Sequence, residues 1–240
     1  MPQGQLVIKG IQKTYGQTMA LAPIDVSLRT DQVTALAGGN GSGKSTLLKI
    51  IAGVIGSDCG SVEWNDRRLP LSVHLNRSLG IEMVFQDGAL CPDCSVLENL
   101  FLGRERLARL GFLARRRMLG LARTLIARYR FHLPDLEIET RTLSGGQQKA
   151  VAIGRALLSE PRLLLLDEPT AALGVTERNV VLNVIRELRA NGVGVILCTH
   201  SPEEISATAE RLLVLRHGKL IHDGSVVALD RVGLAELMSS

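Results

Sequence analysis

Aromatic side chains make up only 3% of the 240 residues, with one Trp, two Tyr and four Phe. Proteins that hold single-stranded nucleic acid stack its bases on aromatic rings, so this chain is poorly equipped for that class of function. Cysteine is as sparse. A chain of this length buries a core without covalent staples, so Cys59, Cys91, Cys94 and Cys198 do not read as a disulfide framework. Cys91-Pro-Asp-Cys94 has the spacing of half a zinc site, but a second pair is missing and no His cluster replaces it, so neither a structural nor a redox role is expected of it. Long apolar runs are missing too. Leu163 to Leu166 and Val193 to Cys198 are far shorter than the roughly 20 residues that cross a bilayer, which excludes an integral membrane helix. The start, MPQGQLVIKG, has no basic segment followed by an apolar stretch and a cleavage site, so the expected compartment is the cytoplasm.

Charge of one sign is nearly balanced, 28 Lys and Arg against 24 Asp and Glu, for a net +4. The balance is local rather than uniform. Between Arg104 and Arg130 stand nine arginines (Arg104, Arg106, Arg109, Arg115, Arg116, Arg117, Arg123, Arg128 and Arg130) and one acid, Glu105, so this stretch carries +8 and the remainder −4. Such a segment serves nucleic acid, anionic lipid or an acidic protein partner, or is simply a solvated helical face.

What the sequence does contain is an alternation of strand and helix patterns. Leu6, Ile8 and Ile11, then Ile24, Val26 and Leu28, alternate with polar neighbours around a loop at Tyr15-Gly16, as antiparallel edge strands do. Val33 to Ala37 is a short buried strand, followed by a glycine-rich loop and a helix carrying Leu47, Leu48, Ile50 and Ile51. From Ala89 to Glu160 the chain turns to Leu, Ala and Arg at helical spacing, an expected helical insertion within a core of about 1–88 and 161–240, the whole chain forming one domain. Leu163 to Leu166 and Gly194 to Cys198 return as buried strands flanking a helix from Thr176 to Ala190, closed by Asn191-Gly192. Ser201-Pro-Glu-Glu204 marks a helix start, and a hairpin from Leu212 to Ile221 turns at His217-Gly218. Buried strands alternating with helices predict an α/β fold with a mostly parallel sheet.

Gly38-Gly-Asn-Gly-Ser-Gly-Lys-Ser45 fits G-x-x-x-x-G-K-[ST] between a predicted strand and a predicted helix. Glycines permit positive φ and let successive backbone N–H groups of Gly38, Gly39, Asn40, Gly41, Ser42 and Gly43 curl round a phosphate, and the helix end adds positive potential. Lys44 is placed to reach the β- and γ-phosphates and Ser45 to offer a hydroxyl to Mg²⁺. A buried strand then runs into Asp167-Glu168, putting two acids at the sheet edge where α/β ligands bind. Asp167 suits holding the metal through its water shell, and Glu168 suits polarising an attacking water. Leu143-Ser-Gly-Gly-Gln147, before an expected helix from Gln148 to Ser159, offers a hydroxyl and glycine amides to a second anion. One nucleotide cannot use two distant devices, so two chains facing each other is the economical arrangement.

GGNGSGKST including Thr46, Gln86 in MVFQD, LSGGQ, LLLLDEP and His200 in CTHSPEE together resemble the ATP-binding cassette (ABC) ATPases, in order and over nearly the whole chain. The resemblance implies a P-loop NTPase: a core like that of the RecA recombinase, with an antiparallel β edge sheet and an α-helical subdomain. It also implies that Tyr15 stacks on adenine, Gln86 contacts Mg²⁺ and relays nucleotide state to a membrane partner, Glu168 is the catalytic base, and His200 grips the γ-phosphate. Ser144, Gly145, Gly146 and Gln147 would bind ATP held by the opposite subunit. Where the family most often continues Ser-Ala-Leu-Asp, this chain reads Ala171-Ala-Leu-Gly174, which puts the coupling across the dimer in doubt.

Among ABC proteins, a single cassette without coiled coils or zinc modules resembles a transporter motor more than a soluble ATPase of repair or translation. A silent dimerisation module is disfavoured by Lys44, Asp167, Glu168 and His200. The stretches Gly80 to Glu105 and Thr170 to Glu177 resemble the ATPases of bacterial ribose-type monosaccharide importers, with an importer of another small solute, such as an amino acid, as the alternative. The resemblance implies a transmembrane permease, a second cassette, identical or a sister chain, and a periplasmic solute-binding protein as partners, at the inner face of the cell membrane, with no nucleic acid. The arginine-rich segment falls where the family's permease-facing subdomain would lie.

Overall fold

The computed structural model describes residues 4–108, 111–228, 233, 236 and 237. Arg109 of the basic segment lies outside them. Among the described residues, ten strands form two sheets. Strands β1 (Gln5–Tyr15), β2 (Thr18–Arg29), β4 (Cys59–Trp64) and β5 (Arg67–Arg68) make an antiparallel sheet in the order β2-β1-β4-β5. Strands β3 (Val33–Ala37), β6 (Ile81–Val84), β7 (Leu163–Asp167), β8 (Gly194–Cys198), β9 (Arg211–Arg216) and β10 (Lys219–Ser225) make the second, ordered β10-β9-β3-β8-β7-β6. All pairings in the second sheet are parallel except that of β9 with the edge strand β10.

The four leucines of β7 illustrate why the central strands are continuously apolar. Leu163 and Leu165 point into a cluster with β1, β2 and helix α1 (Lys44–Ile51), whereas Leu164 and Leu166 point into a cluster with the helices on the other face. A strand covered on both sides has no solvent face on which to place a polar residue. That second cluster joins α3 (Val96–Phe101), α4 (Arg115–Tyr129), α5 (Gly145–Leu157) and α6 (Val175–Ala190) to β7 and β8. Between 89 and 160 the described residues form helices and no strand.

Two elements begin earlier than the sequence pattern predicts. Helix α5 starts at Gly145, so Ser144 is its N-cap and LSGGQ supplies the cap and first turn rather than a preceding loop. Helix α6 starts at Val175. Strands β4, β5 and β6 and helix α2 (Val73–Ser78) have no counterpart in the periodicity. Strand β6 is short and carries Glu82 in its middle, which breaks the apolar run. Glu82 is buried because Ser159 Oγ donates to it at 2.7 Å, and Arg104 and Arg77 approach at 3.2 and 3.5 Å. Arg104 is therefore an internal counter-ion. The basic segment is also neutralised elsewhere, by ion pairs Arg115–Glu137 and Arg128–Glu187, which leaves Arg106, Arg116, Arg117, Arg123 and Arg130 exposed.

Candidate nucleotide site

Four neighbouring parallel strands, β3, β8, β7 and β6, deliver residues to one edge of the sheet, the C-terminal edge at which such sheets bind ligands. The loop after β3 is the glycine-rich one. Gly38, Gly41 and Gly43 have φ of 141°, 75° and 103°, values that side chains other than glycine rarely adopt. Space forbids a side chain as well: a Cβ on Gly43 would stand 2.6 Å from the Ala20 carbonyl oxygen of β2, and one on Gly38 2.1 Å from that of Leu215 in β9. Lys44 is buried, and its ammonium donates to the carbonyls of Gly38 at 2.8 Å and Gly39 at 3.0 Å, inside its own loop. The Ser42 hydroxyl is buried without a hydrogen-bond partner. A buried cation bonded only to its own loop and an orphaned hydroxyl beside it are the signature of a cradle for an anion. Asn40 and Gly41 stand exposed at its rim, and Thr46 is half-buried in the helix.

Asp167 ends β7, opposite Cys198 of β8, and accepts a hydrogen bond from Ser45 Oγ at 2.9 Å. Burial pushes its carboxyl above the ordinary value, and the neighbouring Glu168 adds to this, against the opposing pull of the Ser45 bond, Lys49 and Lys44. A buried carboxylate paired with a hydroxyl suits a hard cation, which takes oxygen ligands. Among the described residues no cluster of three His, Cys, Asp or Glu side chains could hold a metal, so a cation here would need phosphate oxygens to complete its shell.

Glu168 follows with φ of 46°, a left-handed conformation that is costly for a non-glycine residue and concentrates at functional sites. Its amide donates to the Cys198 carbonyl at 3.2 Å. Gln86, after β6, donates from Nε2 to Glu168 Oε2 at 3.3 Å, and His200, after β8, holds Nδ1 3.9 Å from Glu168 Oε1. Residues far apart in sequence thus converge on one carboxylate. The peptide around His200 is anchored to α7 (Pro202–Thr208): Thr199 Oγ1 donates to the buried Glu204 at 2.6 Å, and Ser201 caps the helix. Tyr15 ends β1, half-exposed, with the Lys13 ammonium 5.6 Å from its ring centre. Its hairpin is tied to the glycine loop through the close packing of Ala20 on Gly43.

The LSGGQ residues lie apart. Ser144 Oγ accepts from the Gln147 amide and Gln147 Oε1 accepts from the Ser144 amide, a reciprocal capping box. Among the described residues no hydrogen bond or ion pair joins positions 144–147 to 38–46.

Two features of this region escaped the sequence reading, a clamp on the Gln86 loop and a carboxylate over Gly174. Lys149 is buried in α5, two residues past LSGGQ, and donates to the Gln86 carbonyl at 2.6 Å. Burial lowers its affinity for a proton, and Asp87, Asp167 and Glu168 oppose that. Arg155, two turns on, donates to the carbonyls of Gly88 and Ala89, both at 2.8 Å, so one helix clamps the Gln86 loop twice. A lysine among glutamines and alanines gave no pattern that would reveal its burial. Glu177 is the second. A Cβ on Gly174 would stand 2.7 Å from its Oε2, and one on Gly146 2.5 Å from its Cγ. The glycine where the ABC family most often has Asp is thus the residue that leaves room for the Glu177 carboxylate.

The chain is similar to known proteins in sequence and in fold. The family model described as ABC transporter matches residues 21–171. The chain is 36% identical over 236 residues to the xylose/arabinose import ATP-binding protein XylG of Sulfolobus acidocaldarius, covering 98% of this chain and 94% of that protein. It is 38% identical over 234 residues to the ribose import ATP-binding protein RbsA of Burkholderia mallei, covering 97% of this chain and 46% of the relative, so it spans about half the length of that relative. Among solved structures it resembles a nucleotide-free ATP-binding cassette from an ABC transporter, with a TM-score of 0.80 and 28% identity over 92% of this chain and 91% of the other. It also resembles a dimeric cassette in a post-hydrolysis state bound to ADP and Pi, with a TM-score of 0.80 and 27% identity over 92% and 98% of the two chains.

Proposed function

The chain belongs to the ABC transporter family, and we propose from this that it is the ATP-hydrolysing motor subunit of an importer for monosaccharides of the pentose class. The observation that carries the reading is the convergence of Gln86 and His200 on Glu168, beside Lys44, Ser45 and Asp167. Phosphoryl transfer asks a protein chiefly for positioning and charge stabilisation, and these residues supply both. The backbone amides of the glycine loop and the Lys44 ammonium, exchanging its carbonyl partners for phosphate oxygens, hold the β- and γ-phosphates. Tyr15 supports the adenine, and Glu168 accepts the proton of the attacking water while His200 holds the γ-phosphate. The oxygens of Ser45, Asp167 and Gln86 would hold Mg²⁺, which when bound neutralises phosphate charge.

Ser144 to Gln147, with Ser144 and Gly145 exposed and Gly146 and Gln147 half-buried, bind the nucleotide of a facing cassette, so two ATP molecules lie between paired subunits, identical or sister chains. Closure moves a transmembrane permease through the Gln86 loop and the helical subdomain at about 89–160, at the inner face of the cell membrane. A periplasmic solute-binding protein delivers the sugar, which the cassette itself does not touch. The sugar assignment rests on the likeness to the xylose/arabinose and ribose import proteins.

Glu168→Gln tests the reading. Turnover should fall by roughly 10²- to 10⁴-fold while ATP binding persists, and sedimentation should show a dimer in saturating Mg-ATP. Hydrolysis at the wild-type rate, or a monomer under those conditions, would refute it. Sugar import is checked separately, by whether xylose, arabinose or ribose uptake through the cognate permease needs an active cassette.

A further inference from the structure

The Cys91-Pro-Asp-Cys94 segment leads from the Gln86 loop into α3, and nothing in nucleotide binding uses it. Its backbone is a tight turn, with the Cys94 amide donating to the Cys91 carbonyl at 3.2 Å. The ends of such a turn lie within about 7 Å of each other, the limit of the span that a disulfide bridges. The turn is held from inside the fold. Asn99, wholly buried, accepts from the Cys91 amide at 2.8 Å and donates to the carbonyls of Cys91 at 2.9 Å and Cys94 at 3.2 Å. Thr140 adds bonds to the same two carbonyls, from Oγ1 at 2.8 Å and from its amide at 3.0 Å. Both cysteines are half-buried, so small reagents can reach them.

Two thiols on a turn whose backbone is pinned by a buried Asn and Thr, and which face the surface together, make an arrangement that the spacing alone does not reveal. We propose that Cys91 and Cys94 are a reversible dithiol, oxidised to an intramolecular disulfide by low-molecular-weight disulfides. The Cys94 thiol is pushed above its ordinary value, first by its hydrogen bond with Cys91 and then by burial, which works against a Cys94 thiolate as the first nucleophile. The Cys91 thiolate attacks one sulfur of RSSR, forming a mixed disulfide and releasing RS⁻, which takes up the proton that Cys91 gave up. Cys94 then loses its proton and attacks the Cys91 sulfur, closing the ring and expelling the second RS⁻. Two thiols are oxidised, one RSSR is reduced to two RSH, and two protons pass from protein to product. The other cysteines provide references: Cys198 is buried, with its thiol pushed well up by burial, and Cys59 is exposed.

The test equilibrates the full chain in mixtures of oxidised and reduced glutathione, quenches with acid, alkylates and maps the peptides. The segment holding Cys91 and Cys94 should lose two hydrogens, without bound glutathione, at a ratio at least tenfold more reducing than the one that half-converts Cys59 to its mixed disulfide. Dithiothreitol should reverse the loss. Cys91→Ser and Cys94→Ser should each retain one glutathione on the remaining cysteine, because no second thiol resolves it. The proposal is overturned if both thiols remain alkylatable while Cys59 is converted, or if the wild-type segment stops at a mixed disulfide. The mapping of the wild-type chain needs no variant, so a variant that fails to fold does not blunt it. The readout is sulfur chemistry alone, so it stands or falls separately from the assignment of ATP hydrolysis.

Discussion

Asp167 shows how a residue proposed to hold a metal works against the stability of the free chain. A carboxyl raised above its unfolded value binds its proton more tightly in the folded state, so its contribution to stability is full at low pH and is lost as pH rises through the folded value. Asp167→Asn removes that loss while an amide oxygen can still accept from Ser45. Without nucleotide, the variant should melt above wild type at neutral pH, and the difference should vanish as pH falls through the titration of Asp167. Its Mg-ATP hydrolysis should be lost. Thermal melts across pH check the first outcome and a phosphate-release assay the second. Lys149 poses the converse case, a buried cation whose bond goes to the backbone of Gln86. A hydrogen bond from a charged group contributes about 1.5–3 kcal/mol, so Lys149→Met should lower kcat by roughly tenfold or more. Met matches the size of the side chain but cannot donate, so ATP affinity should change little while the melting temperature falls, the Gln86 carbonyl having lost its donor. An unchanged kcat would remove Lys149 from the positioning of Gln86.

At the scale of elements, α5 joins a capped N-terminus and a clamp on the Gln86 loop in one helix. Its N-terminus presents Ser144 to Gln147, and its side chains Lys149 and Arg155 hold the loop at 86–89. The capping role of Ser144 and its proposed binding of nucleotide can be separated. Ser144→Ala removes the cap and should cost about 1 kcal/mol, read as a lower melting temperature. Ser144→Asp keeps a good N-cap residue but puts a carboxylate where phosphate is expected. In a Glu168→Gln background it should melt near its parent yet fail to dimerise in Mg-ATP, as sedimentation would reveal. A normal dimer would mean that the α5 terminus binds no anion. The element also explains a boundary that periodicity missed: glycines are poor helix formers, yet Gly145 and Gly146 are helical because the Ser144–Gln147 capping box holds the first turn.

For the molecule as a whole, the net charge of +4 conceals a division of labour within the arginine-rich segment. Arg104 is spent on buried Glu82, while Arg115 and Arg128 are paired with Glu137 and Glu187. Arg116 and Arg117 remain exposed in the first turn of α4, which carries no acid of its own and no side-chain cap. Two cations placed against the helix dipole would gain from an acidic partner surface. Arg116→Gln with Arg117→Gln should leave the melting temperature unchanged or slightly higher, since each cation at a helix N-terminus costs about 0.3–1 kcal/mol. Association with permease-bearing vesicles should weaken, and increasingly so at low salt, where exposed charges act over longer distances. Equal binding by both forms would make these arginines a solvated face.

The glycine loop, the leucine strand ending in Asp167-Glu168, and the capped helix starts were legible from residue order, because each follows from local rules of φ, periodicity and capping. Strand β6 was not, because Glu82 is tolerable in a buried strand only where Arg104, Arg77 and Ser159 meet it. The same holds for Lys149 under the Gln86 loop, for Glu177 over Gly174, and for the anchored turn at Cys91 and Cys94. By itself the sequence determined the units that follow from local rules and the chemistry each of those can carry. Only the tertiary structure decided which buried charges find partners and which distant side chains share a site, because desolvation and hydrogen-bond satisfaction depend on neighbours in space.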